Sequence, residues 1–193
     1  MNKLKSTLLQ AVFVFAVIIT ATSCANNKSE DAKDVAEEKN DQKFGNKSSE
    51  KDAQFLVDAA AMNLEAISLG QLAQEKSNDM HVKEFGKFME DEHGVSLGAL
   101  TELAKSKTVS LPTSQTEKGQ EDYKKLNEKT GHDFGKHYSE MMVTVHKDAI
   151  TLFEKASSEA TDPEIKAWAT ASLPGLRAHL DRSIACVKEC AKM

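Results

Sequence analysis

The sequence predicts an all-α protein whose folded part is a bundle of four long helices. Three observations predict it. From residue 52 onward, apolar residues recur at the 3–4 spacing of a helical face and not with the alternation of a strand. Ala, Glu, Lys and Leu are plentiful, whereas the chain has only nine glycines and three prolines, a balance that favours helix. Start and stop residues divide the same stretch into four segments of similar length, each spanning roughly 40 Å at a rise of about 1.5 Å per residue.

Residues 1–23 read as a signal peptide. Lys3 and Lys5 form a positive start, Leu8 to Ile19 is an apolar run broken only by Gln10, and small residues follow. That run is too short for a comfortable membrane span. The ending Ala21-Thr22-Ser23-Cys24 resembles a lipobox, the processing site of bacterial lipoproteins. The resemblance implies that Cys24 becomes the first mature residue and carries acyl chains, giving a stable membrane anchor. The alternative is an ordinary cleaved signal in which Cys24 is incidental. Ala25 is not aspartate, so the inner-membrane retention rule of enteric bacteria does not apply, which points to the outer membrane. Residues 24–51 then read as the lipidated cysteine and a disordered tether. Charged residues, Asn and Ser dominate there, and Val35 and Phe44 are the only large apolar residues; a helix over Asp31 to Lys39 would be marginal on its own.

The bundle is expected over 52–193. The first long helix runs about 52–77, with Phe55, Ala59, Met62, Ala66, Leu69 and Ala73 on one face and a capping signal from Ser49 to Asp52. Asp79 caps a second helix, about 80–106, whose stripe is Val82, Phe85 or Gly86, Met89, His93, Leu97, Leu100 and Ala104. Residues 107–132 connect. Pro112 keeps the residue before it extended, Ser114-x-x-Glu117 opens a short helix to about Lys129, and Gly131 stops it. Asp133 caps a third long helix, about 134–159, with Phe134, Tyr138, Met141, Val145, Ala149, Leu152 and Ala156 inward. Pro163 opens the last helix, in the first turn where its missing N–H costs nothing. Leu173, Leu176, Leu180, Ile184 and Val187 form its stripe to about Ala191, and Pro174 inside it predicts a kink. Four long helices with one long link between the second and third have ferritin-like connectivity.

The formal net charge is -5. With Lys3 and Lys5 set aside, 23 basic residues face 30 acidic ones, a net -7. That balance argues against nucleic acid, whose phosphates demand a basic face. No Gly-rich phosphate loop is present. No Ser-His-Asp or Cys-His nucleophile arrangement can be assembled either, so an enzyme is the weaker expectation.

Glu65, His93, His146 and His179 fall one on each long helix. Bundle metal sites are built this way, and imidazole with carboxylate suits iron, copper or zinc. His93 lies within its apolar stripe and ends the Glu-x-x-His unit begun by Glu90. A second such unit is missing, so a full di-iron ligand set is not evident. Glu65, His146 and His179 each fall roughly 80° from the centre of their stripes, at helix boundaries. Two readings therefore stand: a metal site at a helix seam, or polar residues hydrogen-bonded across helices. His81, His132 and His137 read as surface or helix-end residues. Cys186 and Cys190, four apart on the last helix, are either a local disulfide, a soft-metal pair or two free thiols.

Several short pieces, in order, resemble the domain-of-unknown-function family numbered 4142, exported bacterial proteins of ferritin-like fold. They are Phe55-x-x-x-Ala59 with Asn63-Leu64-Glu65, Phe88-Met89-x-x-x-x-His93, Val109-x-Leu111-Pro112, Gly131-x-x-Phe134 with Tyr138, His146, Asp162-Pro163-Glu164, and Leu173-Pro174-x-Leu176-x-x-His179. The resemblance implies export and a ferritin-like bundle. The expectation is thus a membrane-anchored envelope protein facing the periplasm or cell surface, holding a transition metal at Glu65, His93, His146 and His179. The other expectation is a non-enzymatic interaction module in envelope integrity or stress response, binding a protein partner.

Overall fold

The computed structural model describes residues 30–192. The expected signal peptide and Cys24 lie outside the described residues. Six helices and no strand occur among these residues: α1 (Ala32–Asp41), α2 (Lys47–Lys76), α3 (Met80–Ser106), α4 (Glu117–Asn127), α5 (Gly131–Glu159) and α6 (Pro163–Cys190). The fold is all-α, as the sequence predicts. None of these helices is long and apolar enough to cross a membrane.

Helix α2 packs on α3 and α5, and α6 packs on α5 and α3, so the four long helices close into a bundle. Short links at 77–79 and 160–162 fold α2–α3 and α5–α6 into two antiparallel hairpins. Each turn is fixed by side chains. Asp79 caps α3 by accepting from the N–H groups of His81 and Val82. Asp162 caps α6 by accepting from Glu164 and Ile165, with Pro163 in the first turn as expected. The buried Asp52 reaches across from α2 to the second turn. Its carboxylate accepts from Thr161 N at 3.1 Å, Thr161 Oγ1 at 2.7 Å and Asp162 N at 2.7 Å. Lys107, just past α3, pairs with Asp162 and Glu164 at 2.8 and 2.9 Å.

Gly70 and Gly86 let the first hairpin close tightly. A Cβ on either would lie 2.6 Å from the other's carbonyl oxygen, so only glycine permits this backbone approach.

The structure corrects the start of the folded part. Residues 32–41 form a helix, not a disordered tether, and α2 begins at Lys47 under an Asn46 cap and not near Asp52. Ala36 and Asn40 are buried. The Asn40 amide donates to Ser110 O at 2.9 Å and accepts from Ser110 N at 2.7 Å, tying α1 to the crossover. A segment of low hydrophobicity is ordered here because its few apolar side chains and one buried amide dock on the rest of the bundle. The capping details also shift. Thr116, not Ser114, caps α4; α5 begins at Thr130–Gly131, with Gly131 at φ 54° opening it where a helix stop was expected. Helix α6 runs unbroken through Pro174.

The core falls into two apolar clusters. One gathers Phe55, Leu100, Phe153 and Ile165; the other gathers Phe85, Phe134, Tyr138 and Met142. Replacing Asp52 with alanine strands the Thr161 and Asp162 donors. We expect Asp52→Ala to cost roughly 2–4 kcal/mol of stability in urea unfolding, without change in helix content at zero denaturant.

Candidate metal centre

A polar layer separates the two apolar clusters, and every long helix contributes to it: Asn63 from α2, His93 from α3, His146 from α5 and His179 from α6. Hairpin geometry brings them level. Asn63 and His93 each lie fifteen residues from Asn78 in the first turn, and His146 and His179 lie sixteen and seventeen from Asp162 in the second. The three imidazoles are buried, with ring centroids 5.3 to 5.5 Å apart. One nitrogen of each falls within 4.8 Å of the other two.

Hydrogen bonding fixes the tautomers. Asn63 Nδ2 donates to Ala59 O at 2.8 Å, which leaves its Oδ1 as the acceptor for His93 Nδ1 at 2.9 Å. His146 Nδ1 lies 2.7 Å from Met142 O. A carbonyl oxygen only accepts, so both Nδ1 atoms carry hydrogen. Both Nε2 atoms therefore present lone pairs, and they face each other at 3.2 Å. Burial, with His146 and His179 nearby, lowers the pKa of His93 to about 3; burial, with His179 nearby, lowers that of His146 to about 4. A shared proton is thus disfavoured at neutral pH. A cation placed between them would satisfy both lone pairs. Nitrogens bound at about 2.0–2.1 Å around a tetrahedral ion lie about 3.3 Å apart, close to the separation seen.

His179 supplies the third nitrogen. Its Nδ1 is buried without a hydrogen-bond partner, and its Nε2 lies 3.8 Å from Glu92 Oε2. Its ring packs edge-on against Phe88, over which Arg182 stacks at 3.9 Å. Burial first, then the Arg182 charge, lowers its pKa. The histidines border a cavity of about 240 Å³ that Met62, Ser96 and Trp168 also line.

Residues 28–185 match the family model described as a domain of unknown function, DUF4142. The chain belongs to the DUF4142 family. No curated protein and no solved structure matches it. The DUF4142 match takes in α1, in keeping with a folded part that starts before residue 52.

Of the expected ligands, His93, His146 and His179 come together and Glu65 does not. Glu65 borders a different groove between α2, α4 and α5, where Lys118 lies 3.6 Å away; burial raises its carboxyl pKa. Asn63, two residues earlier, takes the α2 place in the layer, because that step of two turns the helix by roughly 200°. Its signal in the sequence was a polar residue at helical spacing between Ala59 and Ala66.

Cys186 and Cys190 are free thiols and form no disulfide. They sit in the second apolar cluster, away from the imidazoles and beyond the residues matched by the family. Burial, reinforced by Cys190, pushes the Cys186 thiol up to about 12, and burial also raises Cys190. Both thiols should resist alkylation in the folded protein and react fully in urea, as read by peptide mass mapping.

The imidazoles make stability pH-dependent when metal is withheld. Below about pH 6.5 the unfolded chain protonates these histidines while the fold resists down to about 4 and about 3. The unfolded state then binds more protons, so stability is full above pH 6.5 and falls on acidification, by up to about 1.4 kcal/mol per pH unit for each histidine. Urea midpoints in chelator should drop from pH 7.5 to pH 5, and less steeply in His146→Leu, whose Met142 carbonyl keeps its place in the helix.

Proposed function

We propose that this protein binds one transition metal ion through His93, His146 and His179, in the bacterial cell envelope. The observation that carries the reading is the pair of buried Nε2 lone pairs facing one another at 3.2 Å, each imidazole held in that tautomer by its other nitrogen. Purely structural histidines would be expected to pair donor with acceptor. Three imidazoles and a side open to a cavity suit zinc, copper or iron. The ligand set fits a single ion better than an oxygen-activating di-iron pair, which needs bridging carboxylates. The leader pattern of residues 1–24 supports an extracytoplasmic setting with Cys24 as lipid anchor. The long link between α3 and α5 supports a ferritin-like relationship. The interaction-module reading draws less support. Among the described residues Met80 and Val95 are the exposed large apolar side chains, too few and too far apart along α3 for a binding face.

Protein exported to the envelope and purified without chelator should carry close to one equivalent of zinc, copper or iron by elemental analysis. His93→Ala and His146→Ala should each lose it while retaining native helix content by circular dichroism. A folded wild-type protein that stays empty after challenge with iron, copper, zinc and manganese would overturn the metal reading.

A further inference from the structure

Each imidazole of the cluster has one nitrogen for the ion and one that needs an outer acceptor. For His93 that acceptor is Asn63 Oδ1, and for His146 it is Met142 O, both buried and in place. His179 has no such bond. Its Nδ1 is the buried nitrogen without a partner, and its Nε2 is the one that faces a carboxylate, Glu92 Oε2, at 3.8 Å. That distance is too long for a hydrogen bond but within reach of a side-chain adjustment. Glu92 is free to make it: its side chain is 53% exposed, and among the described residues it has no other hydrogen bond or ion pair.

We infer that Glu92 is the positioning residue for His179, its carboxylate accepting the Nε2–H so that Nδ1 turns to the metal. The inference rests on the metal reading above and deepens it. Charge favours it as well. Three neutral imidazoles leave a buried cation uncompensated, and Glu92 is the carboxylate that borders the same cavity. An outer carboxylate on a ligating histidine fixes its tautomer and strengthens it as a donor, and loss of such a partner weakens metal binding by about 10–100-fold. Glu92 sits beside His93 on α3, so one turn of helix presents both a ligand and the partner of another ligand.

The test uses zinc alone with the metal-free full chain. Competition titration should show Glu92→Ala binding zinc about 10–100-fold more weakly than wild type, with Glu92→Gln, which keeps an acceptor but no charge, in between. The urea midpoints of all three metal-free proteins should coincide, which a merely structural role would not give. Imidazole nitrogen shifts in the zinc-loaded wild type should report His179 bound through Nδ1 and protonated at Nε2. Wild-type affinity in Glu92→Ala, or His179 bound through Nε2, would overturn the inference while leaving the metal site standing. No zinc binding by the wild type would overturn both.

Discussion

Two imidazole lone pairs aimed at each other in the middle of a helical bundle are an electrostatic conflict, and much of the surrounding structure serves to hold it. Neither ring can change tautomer without cost. Moving the His93 proton to Nε2 would set a bare Nδ1 against Asn63 Oδ1, whose orientation is locked by the bond from Asn63 Nδ2 to Ala59 O. Moving the His146 proton to Nε2 would leave a lone pair against Met142 O. Protonation would resolve the conflict in water, but burial between two apolar clusters makes an imidazolium expensive. The layer is therefore unsatisfied by its own atoms in a way that a metal ion would resolve.

Holding that geometry demands precision from the scaffold, and the two hairpins provide it. Equal arms on either side of a short turn put residues at the same height without any long-range adjustment, which is how Asn63 meets His93 and His146 meets His179. The Gly70–Gly86 approach fixes the spacing of α2 and α3 two turns from the site. Asp52 locks α2 to the turn of the second hairpin, and Lys107 locks the end of α3 to the same turn. The two hairpins are thus tied to each other at the end remote from the first turn, with the polar layer between.

The helices and their order were legible because apolar periodicity and turn residues are local signals. The site was legible only in part, and the errors share one cause. In each of three helices the expected stripe took an apolar residue next to the true inward one: Met62 for Asn63, Val145 for His146, Leu180 for His179. The observed faces run Asn63-Ala66-Leu69, Met142-His146-Ala149-Phe153 and Leu176-His179-Ser183-Cys186, with the chosen neighbours only half-buried. A search that rewards hydrophobicity steps around a polar layer whenever an adjacent residue is apolar, and so places its histidines at the seam. Glu65 has the chemistry of a ligand but not the phase, and lies on another face. Hairpin symmetry carried the missing information: equal distances from Asn78 and nearly equal ones from Asp162 pair the four residues without reference to hydrophobicity. Helix α1 is only marginal by sequence, for a different reason. Its stability comes from docking, through Asn40 on Ser110 and Ala36 in contact with the body, and composition alone does not show a docking surface.

The three imidazoles are not equivalent, and the difference bears on how an ion would enter the proposed site. His93 and His146 are held by buried acceptors that belong to the helices themselves, so these two nitrogens keep their aim whether or not metal is present. His179 stands at the margin of the layer, against Phe88 on one side and a half-exposed carboxylate on the other. It is the imidazole that can adjust with the least disruption of packing, and it borders the cavity that Glu92 also lines. A site with two fixed donors and one adjustable donor on the open side can admit an ion to the preformed pair and then close on it. That asymmetry would suit reversible binding better than a permanently enclosed structural ion, for which all ligands would be expected to be equally fixed.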